Sequence, residues 1–330
     1  MGFDIGRVFS DIGNAFEDIG QAIETAAKDV GKGIERAVED VVQTFKETTN
    51  DVATDITTRM LGHTSGNPSL PLLSTARYGH VDGQLFLRGK GDQRDIDIED
   101  VRQGKVGDCY FMSSLAALAK SNPEAVRQMI RDNGDGTYTV TFHQRRLPWE
   151  PGRGEFRKVE VTVTDELPLI EGRLAFAAFG DSKEKKQELW AALIEKAYAT
   201  YRGGYGISEG GWPANAMETL TGQNSTSRPS KHVSLPELAN HLAHGDVIAA
   251  STLPDSKNGA TGEIPRASAG SALINDGTLK ASHSYTVIGV DVDANTVTIR
   301  NPWGGSGSTL TLSYEDFQKS MSEVAWNPAR

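Results

Sequence analysis

Cys109 is the sole cysteine in 330 residues. It stands in Gln103-Gly-Lys-Val-Gly-Asp-Cys109-Tyr-Phe, where a glycine-punctuated loop gives way to an apolar stretch of helical character. A lone cysteine forms no intramolecular disulfide and no multi-cysteine zinc site, which leaves packing or thiol chemistry. Nucleophilic chemistry by a thiol calls for a base and a group that orients the base. His283, in Ala281-Ser-His-Ser-Tyr-Thr-Val-Ile-Gly-Val290, and Asn301, in Thr298-Ile-Arg-Asn-Pro-Trp-Gly-Gly305, have those chemistries. Taken singly, each has a plainer role: a packed hydrophobe, a satisfied structural histidine, a turn residue before Pro302. Together they read as a triad. Of the remaining histidines, only His241 and His244 are closely spaced, and with no cysteine near them they read as a solvated helix end.

A free thiol titrates near pH 8.5, so little of it is thiolate at neutral pH. Two devices favour the anion here. The stretch Met112-Ser-Ser-Leu-Ala-Ala-Leu-Ala119 predicts a helix whose first turn and dipole favour negative sulfur by about 0.3–1 kcal/mol. An imidazolium at His283 within bonding reach would contribute more. Asn301 can accept the second ring N–H of His283 and fix its tautomer without adding charge.

These residues need two kinds of scaffold. Residues 72–222 read as mostly helical, with a hairpin of Tyr138–Phe142 and Val159–Val163 before a helix from Glu184 to Tyr201. From 223 onward strands dominate, at Val247–Thr252, Tyr285–Val290, Thr296–Arg300 and Thr309–Leu312. The fold class is α+β: a nucleophile lobe over 75–222 and a mainly antiparallel His/Asn lobe over 223–330, with the cleft between them. Before His283, the Gly-, Ser- and Ala-rich stretch from Pro254 to Lys280 reads as a gating loop or a simple insertion.

Gln103-Gly-x-x-Gly-Asp-Cys109, His283-Ser-Tyr and Asn301-Pro-Trp-Gly304 resemble the three active-site segments of calpain-type cysteine proteases, in the same order. Leu189-Trp-Ala-Ala-Leu-Ile-Glu-Lys-Ala-Tyr198, followed by Gly203-Gly-Tyr and Gly210-Gly211, resembles the helix and substrate-side loop between them. The resemblance covers residues 75–326 and implies a papain-like fold, a short member without an EF-hand, and hydrolysis of peptide bonds through an acyl-enzyme. It implies Gln103 and the Cys109 backbone N–H as oxyanion donors, and Trp303 as a shield over the His–Asn pair. Gly210, Gly211 and Ser282 would line the substrate path. No cofactor is required. Calcium is the ion the resemblance brings with it, and Asp100 and Glu195 match acidic positions of one calcium site. Each also has a plainer role, as a turn cap and as an exposed helix charge. Tyr110 stands where the best-known calpains have tryptophan, and Ser282 where they have glycine. The implied substrates are proteins with flexible exposed segments. Acyl transfer to an amine would use the same groups, and the alternative from another class is an inactive calpain fold that binds through its N-terminal helix.

Composition bounds the rest. A net charge of −10 without basic runs argues against nucleic acid as a partner. No run of about 18 apolar residues predicts a transmembrane span, and the N-terminus lacks the pattern of a secretory signal. A reduced thiol fits the cytoplasm and is compatible with leaderless secretion. Over residues 1–61, apolar positions from Ile5 to Ile56 follow three-and-four spacing, and Asp4-Ile-Gly6 recurs at Asp11 and Asp18. This predicts an amphipathic, coiled-coil-like helical segment. Its repeated glycines each cost about 0.8–1.0 kcal/mol relative to Ala, so it needs a packing partner. Its acidic balance favours self-association or docking on the protease core over membrane binding. Residues 62–74 read as a turn-rich linker, which makes a pro- or regulatory role for the segment before it an expectation.

Overall fold

The computed structural model describes residues 77–329, apart from 89–93, 147–150, 153, 171–172, 175–176, 178–186 and 254–270. The N-terminal helix, its linker and most of the loop before His283 lie outside the described residues.

The helix that begins at the cysteine organises the core. α1 (Cys109–Ser121) is buried at every position from Tyr110 to Ala119. A helix apolar on all sides belongs inside a protein. Its small residues Ser113, Ser114, Ala116 and Ala117 let neighbours approach closely, and the Ser113 and Ser114 hydroxyls donate back to Tyr110 O. α2 (Pro123–Met129) follows, capped by the Asn122 side chain. Around this pair lie α3 (Trp190–Arg202), the single turn α4 (Tyr205–Ser208) and α5 (Pro213–Thr221).

Small sheets flank the helices. β1 (Arg77–His80) pairs with β6 (Glu166–Ile170), which pairs with β7 (Arg173–Leu174); β2 (Gly83–Gln84) runs parallel to β8 (Gln187–Glu188). β3 (Ile130–Asp132), β4 (Thr137–Arg145) and β5 (Phe156–Thr164) form an antiparallel meander. The predicted hairpin is longer at both ends. The predicted helix from 184 begins later, because Gln187 and Glu188 pair with β2 and α3 starts only at Trp190.

The other half is a six-stranded antiparallel sheet in the order β13-β12-β11-β10-β14-β9, built from β9 (Thr226–Pro229), β10 (Val247–Thr252), β11 (Ser284–Asp291), β12 (Thr296–Arg300), β13 (Thr309–Ser313) and β14 (Met321–Asn327). Its helices are α6 (Leu235–Ala243), α7 (Ala272–Asn275) and α8 (Tyr314–Ser320). Strand alternation gives the sheet two working faces. On β10, Val247 and Ala249 join the core of α1 and α3, while Ile248 and Ala250 join a second core with Leu238, Phe317 and Trp326. The sheet therefore presses one face directly onto α1, and β11 carries its polar residues into that contact.

Candidate active site

Cys109 is the first residue of α1, and Phe111 and Met112 donate their N–H groups to Asp108 O. The Asp108 side chain makes no cap bond. It is 1% exposed and turns inward to Gln103 and Glu195. Gln103 Nε2 donates to Val106 O at 2.7 Å and to Asp108 Oδ1 at 3.2 Å. Both amide hydrogens are thus engaged within its own loop, and an oxyanion would have to draw one of them away.

Glu195, from the middle of α3, is also buried and accepts from Ala177 N–H through both carboxylate oxygens, at 3.2 and 3.0 Å. Two facing carboxyls cannot both ionise in a dry site unless a cation joins them. Burial holds Glu195 well above the usual carboxylate range and Asp108 up near 7, so the pair shares a proton at neutral pH. The adjacent Lys196 turns the other way, onto Thr164 and the Glu166 carbonyl.

The base half is differently made. His283 Nε2 lies 3.0 Å from Asn301 Oδ1, and Trp303 N–H donates to that same oxygen at 3.1 Å. The backbone donor identifies the Asn301 atom as an acceptor, so Nε2 carries the proton and Nδ1 is left to take one from a thiol. The Trp303 ring lies 5.1 Å from the imidazole, and Tyr285 meets it edge-on at 5.1 Å. His283 is anchored on β10 through Thr252, whose Oγ1 accepts from His283 N–H at 3.0 Å and whose N–H donates to His283 O at 2.8 Å. Burial pushes the imidazole down to about 4, against the help of Asn301, with Lys280 adding to the depression.

Burial also pushes the Cys109 thiol up to about 11, and the Asp108 carboxylate works in the same direction. The N–H and hydroxyl of Ser284 and the N–H of Tyr110 work the other way. Among the described residues no hydrogen bond joins Cys109 to His283. Both shifts favour a resting pair of neutral thiol and neutral imidazole over a standing ion pair.

The two halves are tied at one end of the cleft. Arg300, the fully buried residue before Asn301, directs Nε and Nη2 to Glu99 at 3.2 and 3.3 Å and Nη2 to Val101 O at 3.0 Å. Gln103 N–H donates to Pro302 O at 2.7 Å. Gly210 and Gly211 close against the nucleophile loop: Gly210 N–H bonds Gly107 O at 2.9 Å, and a Cβ on Gly211 would stand 2.5 Å from Tyr110 Cζ. Tyr110 is fixed in turn by donating to Ser208 O at 2.9 Å. Ser282 adopts φ 49°, a left-handed backbone unusual for a side chain other than Asn or Asp.

Asp100 and Glu195 both have protein partners where they stand. Asp100 Oδ2 accepts Asp97 N–H at 2.5 Å in a reciprocal cap of a 3-10 turn, and both Glu195 oxygens are engaged with Ala177 and the Asp108 side. No group of three or more His, Cys, Asp or Glu side chains suited to a metal occurs among the described residues. Sequence reasoning missed Asp108, Ser284, Glu99 and Arg300. Asp108 and Ser284 directly adjoin the chosen Cys109 and His283, but only packing reveals what they touch.

Residues 90–321 match the calpain family cysteine protease model. The chain is 31% identical to mouse calpain-9 over 250 residues, covering 73% of this chain and 32% of that protein. It is 30% identical to Calpain clp-4 of Caenorhabditis elegans over 239 residues, covering 69% and 30%. Against the maize calpain-type cysteine protease DEK1 it is 32% identical over 212 residues, 63% of this chain and 9% of the other. The chain thus spans about a third or less of the length of these curated relatives. With the match reaching from ahead of the Gln103 loop to the head of β14, and so taking in both halves of the cleft, the chain belongs to the calpain family of cysteine proteases.

Proposed function

We propose that the chain is a cysteine endopeptidase in which Cys109 attacks the scissile carbonyl, His283 Nδ1 takes the thiol proton and returns it to the leaving amine, and Asn301 orients the imidazole. The observation that carries this reading is the fixed tautomer of His283. Asn301 accepts from Nε2, and Trp303 N–H pins Asn301. A buried thiol and a buried imidazole exchange the proton most readily during attack, when the developing charges face one another. Catalytic hydrogen bonds often tighten only in the substrate complex, so His283 meets the sulfur there. The Cys109 N–H at the head of α1 would hold the oxyanion, joined by Gln103 once its amide leaves Val106 or Asp108. Water then hydrolyses the acyl-enzyme.

Substrates would be proteins presenting flexible segments, consistent with a cleft floored by Gly210 and Gly211 and rimmed by the exposed Trp212 and Trp303. No helix among the described residues is long and apolar enough to cross a membrane, and a single free thiol suits a reducing cytoplasm. We assign the N-terminal segment an inhibitory or pro-segment role on its amphipathic pattern. The resting electrostatics favour one second reading, a calpain fold that binds protein through its N-terminal helix without turnover.

Casein cleavage by the full chain and by Cys109→Ala, each with calcium or chelator, separates these readings. Thiol-dependent cleavage supports the peptidase, and the calcium arm tests metal modulation directly. Greater activity from a chain beginning near Ser74 supports inhibition by the N-terminal segment. No cleavage under any condition, with a thiol inert to acylating probes, gives the binding reading.

A further inference from the structure

β11 runs beside α1, and one bond sets their register: Thr286 Oγ1 donates to Ser113 O at 2.8 Å. Cys109 stands one helical turn back from Ser113, and Ser284 stands two residues back from Thr286 on the same face of β11. Four helix residues advance about 6 Å and two strand residues about 6.8 Å. The segments therefore keep step, which brings Ser284 level with the nucleophile. There its N–H and its hydroxyl both favour negative charge on the sulfur.

The hydroxyl has a second neighbour. Ser251, opposite Ser284 across β10 and β11, places its Oγ 3.1 Å away. Ser251 Oγ in turn donates to Glu323 Oε1 on β14 at 3.4 Å, and the other Glu323 oxygen accepts from Ser227 at 2.8 Å. The row runs from an anionic anchor, through two buried or half-buried hydroxyls, to the sulfur.

We propose that Ser284 is a catalytic hydrogen-bond donor whose hydroxyl, backed by Ser251 and Glu323, turns to follow the charge on Cys109. Facing a neutral thiol, Ser284 accepts from S–H and donates to Ser251, which donates to Glu323. Facing a negative sulfur, Ser284 rotates and donates to it. No hydroxyl loses its proton in either state; the thiol proton goes to His283. The proposal rests on Cys109 being the nucleophile of the reading above. The other titratable groups around the sulfur are Asp108 on α1, Tyr285 on β11, and His283 with Lys280 ahead of that strand. Asp108 opposes negative charge on the sulfur, and the Ser284 donors offset it together with the Tyr110 N–H.

The test is the pH dependence of iodoacetamide alkylation of the full chain, where the single cysteine makes every adduct a report on Cys109. Ser284→Ala should move the thiolate limb to higher pH and slow alkylation near neutrality by about tenfold, the loss expected for one hydrogen bond to a charged atom. Ser284→Thr, which keeps the hydroxyl, should return the limb toward wild type. Superimposable limbs for wild type and folded Ser284→Ala overturn the proposal. Should Ser284→Ala fail to fold, Ser251→Ala decides in the same assay: a limb displaced upward supports the row of hydroxyls, and an unmoved one overturns it. Alkylation needs no peptide substrate, so a displaced limb in a protein that never cleaves casein would count against the peptidase while still placing the Ser284 donor at the sulfur, and the two failures are told apart.

Discussion

Around His283 the polar groups are neutral and paired: Asn301 is pinned by a backbone N–H, Thr252 bonds the histidine's main chain twice, and two aromatic rings wall the imidazole. Around Cys109 they are acidic and crowded. Asp108 and Glu195 face each other in the dry interior, and Gln103 is turned toward them instead of toward the cleft. The base half therefore needs little rearrangement for the proposed reaction, whereas the nucleophile half has to release a donor from a carboxyl. Control of such a site belongs on the Gln103–Cys109 loop and on α3 behind it.

The sharpest way to break this comparison is in the base half. His283→Ala should lower kcat/KM by roughly 10²–10⁴-fold, the range for losing a positioned general base, measured on a peptide that wild type cleaves. Arg300→Ala comes next. It removes the buried guanidinium that ties the segment of Asn301 to Glu99 and Val101, and because Glu99 is half-exposed and returns to water, the loss is about 1.5–3 kcal/mol, that of a hydrogen bond to a charged group. Chemical denaturation should show that loss, and Arg300→Lys should recover only part of it, because a lysine cannot fork across Glu99.

The two halves should also answer pH with opposite signs. His283 has a folded pKa depressed from 6.5 to about 4, so its contribution is fully present above pH 6.5 and is lost as pH falls toward 4. That loss is on the order of 3 kcal/mol at 1.36 kcal/mol per pH unit. Asp108 is raised from 3.8 to about 7, so its contribution is present below pH 3.8 and is lost as pH rises through 7. Relative to wild type, Asp108→Asn should tilt the stability profile upward between pH 4 and 6.5, with the buried Glu195 still contributing a fall, and His283→Gln should tilt it downward over the same window. Urea unfolding across that range reads both slopes, and identical slopes in the two variants would sink the contrast. The smallest effect is at Ser282. Ser282→Gly relieves its positive φ and should stabilise by at most about 1 kcal/mol, the usual scale of that strain, as read from the melting temperature.

Much of the base half was legible before any coordinates, because Asn301-Pro-Trp-Gly304 and His283-Ser-Tyr are local motifs whose geometry travels with them. Alternation also marked β10, β12 and most of β11 and β13. The partners that lie far apart in sequence were not legible. Ser284 meets Cys109 only because Thr286 registers on Ser113, and Glu195 meets Asp108 only where α3 crosses behind α1. β14 escaped notice because no turn residue announces it: α8 passes straight into it at Met321, and consecutive buried residues from Val324 to Asn327 hide its period of two. Gln103 has the side chain an oxyanion donor needs, but the neighbouring carboxyl that holds its amide inward could not be read from that residue alone.

The place of β14 in the sheet also sets a timetable. It comes after every other strand of that sheet in the chain, yet it lies between β10 and β9. While a ribosome is still short of residue 321, β10 lacks the neighbour on its far side and the Glu323 anchor does not exist. Contacts of such long sequence separation form late in folding. A nascent chain would thus carry its thiol without the completed sheet until β14 has been made, and the polar row behind Ser284 would be assembled only then.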